Sequence, residues 1–101
     1  MNTITVYQGN TKEITCTVEG LTDLSGYQGK LTVKRDARDE NPLFEITGTI
    51  NALNIDFEVT AENNSLNAGE YIYEVWITNG TKTYTVVQDI YEVEKSVKYQ
   101  A

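Results

Sequence analysis

Two groups of carboxylates are the positions in this chain whose types and spacing could do chemistry. Asp56 and Glu58 stand two apart in an alternating stretch, so they share one face of a strand. A carboxylate pair cleaves a glycoside only when the two groups flank a cleft. Nothing in the pattern supplies a cleft, and the pair reads as a solvated face. Asp36, Asp39, Glu40 and Asn41 offer oxygens to a calcium ion. They lack the loop spacing of an EF-hand, and Arg35 and Arg38 interrupt them, so a plain polar loop is the better reading. Cys16 is the single cysteine, which excludes an internal disulfide and a thiolate zinc site. Histidine is absent, and with it the commonest general base, the commonest metal ligand and any Ser-His triad. There is no phosphate-binding or dinucleotide-binding glycine motif. Asn63-Asn-Ser65 and Asn79-Gly-Thr81 match the glycosylation sequon but read as turn residues. The expectation is a protein with no catalytic, cofactor-binding or metal residues, and so not an enzyme.

The elements that carry these residues are strands. Thr, Val, Ile, Tyr, Phe and Trp make up 41 of the 101 residues, against 12 Ala, Leu and Met, a ratio that favours pleated sheet. A chain of 101 residues is one domain by default. The balance of 8 Lys+Arg against 15 Asp+Glu gives a net charge of -7, which argues against nucleic acid or an anionic membrane as partner. No apolar run is long enough to span a bilayer as a helix. The opening MNTITVYQGN lacks the basic and apolar regions of a signal peptide.

Period-two alternation recurs from end to end. Ile4 and Val6 share a face before a turn at Gly9-Asn10. Ile14, Cys16 and Val18 alternate with Glu13, Thr15 and Thr17, and Leu31 and Val33 with Lys30, Thr32 and Lys34. Phe44 and Ile46 form a short strand ending near Gly48, and Ile50 leads into a turn at Asn51-Ala52. Ile55, Phe57 and Val59 form the next strand, and residues 60–65 could form one helical turn. Gly69 opens the strand expected to be longest, with Tyr71, Tyr73, Val75 and Ile77 on one face and Ile72, Glu74, Trp76 and Thr78 on the other. Asn79-Gly80 is a strong signal for a two-residue type I′ hairpin. The last strand runs over residues 82–93 and changes face near Gln88–Asp89, where a β-bulge is expected. These seven strands, with no long helix, predict an all-β antiparallel sandwich over residues 1–94 and a polar tail over 95–101.

Leu66-x-Ala68-Gly69-x-Tyr71-x-Tyr73 has the spacing of a tyrosine corner, the mark of immunoglobulin-like sandwiches, with Tyr71 as the corner residue. Tyr73 then stands where an antibody domain has its second cysteine and Cys16 near the first, so Cys16 reads as a small buried hydrophobe. Trp76 falls on a different strand from the antibody tryptophan, so the domain is not of antibody type. Tyr7, Tyr27, Tyr84, Tyr91, Tyr99 and Trp76 are candidates for a sugar- or protein-binding surface, with core and edge packing the competing explanation.

The chain also resembles the immunoglobulin-like modules associated with phage tails and baseplates, such as the N-terminal module of baseplate upper proteins. The stretches that carry the resemblance are Val6-Tyr-Gln-Gly-Asn-Thr11, Asp23-Leu-Ser-Gly-Tyr27, Leu31-Thr-Val-Lys34 and the run from Ile55 to Val75, which contains Thr60-Ala-Glu-Asn-Asn and Ala68-Gly-Glu-Tyr-Ile-Tyr73. The family often has a glycine before the aromatic of its last strand; this chain has Gln88-Asp89-Ile90-Tyr91. The resemblance implies a non-enzymatic structural component of a tailed-phage virion: a capsid decoration protein, head-fibre base, or tail or baseplate module. It would be made in the bacterial cytoplasm and dock on capsid, fibre or tail subunits, without a cofactor. The exposed loops offer Asp36, Arg38, Asp39, Glu40, Asn79 and Gly80 as docking residues. The edges expected to be covered are residues 3–9 and 82–93. The alternative is an adhesion domain for a host-surface glycan or protein. An aromatic cluster around Trp76 in one concave patch would favour it.

Overall fold

The computed structural model describes residues 2–97. Its strands are β1 (Ile4–Tyr7), β2 (Lys12–Thr17), β3 (Gln28–Lys34), β4 (Phe44–Thr47), β5 (Thr49–Asn51), β6 (Asn54–Val59), β7 (Gly69–Thr78) and β8 (Thr83–Glu94). Among the described residues there is no helix, and so none long and apolar enough to cross a membrane. The strands form one sheet in the order β1-β8-β7-β3-β4 and a second in the order β2-β6-β5.

Alternation builds the core between these sheets. Ile55, Phe57 and Val59 point inward from β6, and Leu31, Val33, Tyr71, Tyr73, Val75, Ile77, Tyr91 and Val93 face them from the larger sheet. Two glycines mark close contact with β6 near the crossing from β4 to β5. A Cβ on Gly48 would lie 2.5 Å from Ile55 Cγ2 and 2.7 Å from Phe57 Cε1, and one on Gly29 would lie 2.7 Å from Ile55 Cγ2. Only hydrogen fits at either place. Gly48 N also donates to Gly29 O at 2.9 Å, which fixes the crossing.

The strand order is that of an immunoglobulin-like sandwich. The second, sixth and fifth strands make the smaller sheet, and the third, seventh and eighth make the centre of the larger one. Tyr71 Oη donates to Asn67 O at 2.6 Å, closing the corner four residues upstream.

Several local expectations need correction. Among the described residues there are eight strands rather than seven, because Thr49–Asn51 pairs with β6 through a turn in which Ala52 takes a φ of 57°. The longest strand is β8, with 12 residues against 10 for β7. Ile4–Tyr7 pairs parallel to Tyr91–Glu94, the one parallel ladder among the described residues. The β7–β8 connection is a four-residue loop, since Thr78 pairs with Thr83. Asn79 does not enter the left-handed region there. Its Oδ1 accepts from Thr81 N at 2.9 Å and Lys82 N at 2.7 Å, and Gly80 takes the positive φ of 92°. The bulge lies earlier than expected. Val75 pairs with Val87 and Trp76 with Thr85, so the extra residue is Val86. Residues 60–65 form a single turn closed by Asn64 N on Thr60 O.

Candidate interaction surface

The two loops proposed for docking leave from opposite ends of the larger sheet. Lys34 pairs with Ile72 near the start of β7, and Gln28 with Thr78 at its end. The loop after Lys34 and the one after Thr78 are therefore about 20 Å apart, six residues at strand rise. Asp36, Arg38, Asp39 and Glu40 are all exposed, and so are Asn79 and Gly80. The acidic loop closes on itself. Asp36 Oδ1 accepts from Arg38 N at 3.0 Å, and Asp39 Oδ2 from Asp36 N at 3.2 Å. Arg38 Nε stands 3.5 Å from Asp36 Oδ1, an exposed ion pair of small energetic value. Arg35 lies over the Tyr71 ring at 5.8 Å, which holds the start of the loop against the sheet. Asp56 and Glu58 are exposed on β6, with Asp56 accepting from Thr15 Oγ1 at 2.7 Å.

The aromatic candidates are dispersed. Tyr91 is fully buried, and its hydroxyl donates to the side-chain oxygen of Asn64, so it belongs to the core and not to a surface. Tyr7, 50% exposed, sits at the end of the sheet where β7 begins. Tyr27 and Tyr84 pack at the other end with ring centroids 6.4 Å apart. Trp76 lies on the outer face of the larger sheet, half-buried, its Nε1 donating to Thr32 Oγ1 at 2.9 Å. Thr32 in turn donates to Glu45 Oε2 at 2.9 Å, so the two bonds link β7, β3 and β4. Tyr99 is outside the described residues.

The feature that sequence reasoning missed is the open side of the sandwich. β2 is an edge strand, and β8 is covered by β1 only from Tyr91 onward. Between these two edges run two clefts. One, of about 590 Å³, is lined by Ile14, Cys16, Tyr73, Val75, Val86 and Val87 among others. The other, of about 430 Å³, is lined by Val18, Leu21, Ile77, Tyr84 and Val86 among others. They share Thr17, Glu19 and Val86 and make one trough. Its single charged lining residue is Glu19. The bulge helps to build it, since Val86 and Val87, consecutive in sequence, both pack toward the core.

Titration behaviour follows burial. Cys16 is half-buried, and desolvation pushes its thiol up, which keeps it protonated and a poor nucleophile. Tyr73, whose hydroxyl donates to Asn2 O, is pushed up to about 12 by burial, then by the charges of Asp89 and Cys16. Burial raises Tyr91 further, against the opposing effect of its bond to Asn64. Asp89 is held low, first by the backbone N–H of Asn2 and then by that of Ile90. Among the described residues no three His, Cys, Asp or Glu side chains gather as metal ligands.

Two buried amides also escaped the sequence reading. Asn64 Nδ2 donates to Asn10 O at 2.6 Å, its Oδ1 accepts from Tyr91 Oη, and its main-chain O accepts from Gly9 N at 3.1 Å, so it joins the 60–65 turn to the β1–β2 connection and to Tyr91. Gln8 Nε2 donates to Leu66 O at 2.9 Å, and its Oε1 accepts from Ser96 N at 3.3 Å. Ser96 is therefore buried beyond the last strand.

With eight strands in two sheets of this order and a closed tyrosine corner, the chain is an immunoglobulin-like β-sandwich. No family model and no curated protein matches it. Solved structures similar to it include an uncharacterized protein from Bacillus anthracis str. Ames, 16% identical over 91% of this chain and 77% of that one, with a TM-score of 0.49. A second is the immunoglobulin-like domain of mouse leukocyte-associated immunoglobulin-like receptor 1, solved as a strand-swapped dimer, 16% identical over 90% and 86% of the two chains, TM-score 0.49. A third is murine CRIg, 17% identical over 93% and 92%, TM-score 0.45.

Proposed function

We propose that this protein is a non-enzymatic docking module of a tailed-phage virion, a rigid sandwich that joins other particle subunits through its strand edges and loops. The observation that carries the docking half is the dispersal of its aromatics. Trp76 is fixed on the outer face of the larger sheet, while Tyr84 pairs opposite the inward-facing Ile77 and lies with Tyr27 at one end. Tyr91 is in the core. A glycan platform needs stacking rings in one concave patch with convergent polar groups, and this arrangement separates the rings. The virion half is supported by the sequence resemblance, whose stretches fall on parts of β1, β3, β6 and β7 and on the connections after β1 and before β3.

Quantitative mass spectrometry of purified particles, scaled to the major capsid protein, tests the reading. Hundreds of copies per particle assign the module to capsid decoration, and a few to tens to tail, baseplate or fibre base. Absence from the particle overturns the virion assignment and leaves a separately acting binding domain.

A further inference from the structure

We infer that the trough between β2 and β8 is an acceptor for a β-strand: an extended segment of a partner protein, alternating apolar with neutral or basic residues, completes the sandwich there. The inference rests on the docking reading above but not on the virion assignment.

The backbone supplies the first reason. In the seven-strand immunoglobulin arrangement the first strand pairs with the second. Here Ile4–Tyr7 joins β8 in the other sheet, and β2 has β6 as its only neighbour among the described residues. One edge of Lys12–Thr17 is thus free. The first seven residues of β8, Thr83 to Asp89, likewise have β7 on one side and no strand on the other. Two unpaired strand edges flank one trough, and free main-chain amides and carbonyls are what an added strand bonds to.

The floor supplies the second. Ile14, Cys16, Val86 and Val87 line the trough and stay only half-buried, although they pack on the core. Side chains at every second position of an added strand would cover them, while the intervening ones would face solvent. The described residues N-terminal to β1 reach only one end of the trough. Asn2, Thr3 and Ile4 line one end of it, with Asn2 N held by Asp89 Oδ2 at 2.9 Å and Asn2 O by Tyr73.

Charge selects the occupant. Glu19 is the one acidic side chain along the lining and no Lys or Arg accompanies it, so a segment bearing Lys or Arg is complementary. A second copy of this chain brings a net charge of -7 toward another -7, which opposes self-pairing.

The test uses the full chain and the synthetic peptide acetyl-TKVTVKVT-amide, about the length of a natural strand. The expected result is saturable binding with a Kd of about 1 mM or tighter. Backbone amide shifts and slowed hydrogen exchange should be confined to residues 12–19 and 83–89. A peptide with proline at its central valine, which removes one ladder donor, should bind about tenfold weaker or worse. Glu19→Lys, an exposed substitution, should weaken the basic peptide by about threefold to fivefold. No binding, equal binding of the proline peptide, or shifts centred on Trp76 overturns the inference. A concentration-dependent dimer of the chain alone that protects the same amides also overturns it, by making a second copy the occupant. If the peptide fails while particles contain the chain in fixed ratio, docking stands without strand acceptance. If the peptide binds while particles lack the chain, the acceptor edge stands and the virion assignment falls.

Discussion

At the scale of single residues, the hydroxyls of three buried tyrosines tie the sandwich together, each to a different partner. Tyr71 reaches Asn67 O, Tyr73 reaches Asn2 O and Tyr91 reaches Asn64. The corner is the one that local spacing announces, because donor and acceptor are four residues apart in sequence. Tyr71→Phe keeps the ring and removes the bond, so it should cost about 1 kcal/mol. Urea unfolding should show a lower midpoint with an unchanged slope. The bonds of Tyr73 and Tyr91 were not legible beforehand, since their partners lie 71 and 27 residues away. Alternation tells which face a side chain takes and not what waits there. For the same reason Asn64 looked like one more polar turn residue, although it is fully buried with both ends of its amide bonded.

At the scale of elements, period-two patterning located the strands well, because each buries one face and a slip of one residue would turn its apolar set outward. It failed where the backbone departs from that period. The hairpin loop is longer than Asn79-Gly80 implies because the Asn79 side chain caps the turn in place of a left-handed backbone. The bulge was displaced because two apolar residues, Val86 and Val87, take the same side, and the face change becomes visible in sequence only further along. The crossing from β4 to β5 was read as a strand end and is a place with no room for a side chain at Gly48. Gly48→Ala puts a methyl against the side chain of Ile55 and the ring of Phe57, and the ring has little room to yield. The expected destabilisation is about 1–3 kcal/mol from overpacking, measured by urea or thermal unfolding. A change confined to the exposed Gly80 loop would leave this crossing untouched.

At the scale of the whole molecule, the sandwich was legible because composition, alternation and the corner all agree, whereas the open side was not. Which strands are edges depends on sheet order, and that is decided by the long-range choice of β1 to pair with β8. Global stability should register the buried phenols. Folding raises Tyr73 from its ordinary value of 10.0 to about 12, and raises Tyr91 as well. The folded state therefore keeps protons that the unfolded chain releases. Their contribution is complete below pH 10 and is lost as pH rises from 10 toward 12. Urea midpoints taken from pH 8 upward should stay level and then fall through that window, and Tyr73→Phe should flatten the fall. A level midpoint across the window would show that folded and unfolded chains release these protons alike, so that folding does not raise the hydroxyls.

The parallel ladder between Ile4–Tyr7 and Tyr91–Glu94 has a mechanical consequence. The chain enters β1 beside Tyr91 and leaves β8 beside Tyr7, so the entry and exit lie at opposite ends of the same short ladder. Tension applied to the flanking chain drags the two strands lengthwise past each other. All four residue pairs then bear the load together instead of peeling one at a time, and the rest of the sandwich is shielded until they yield as a unit. A domain pulled from its two ends in this way resists extension along its own axis.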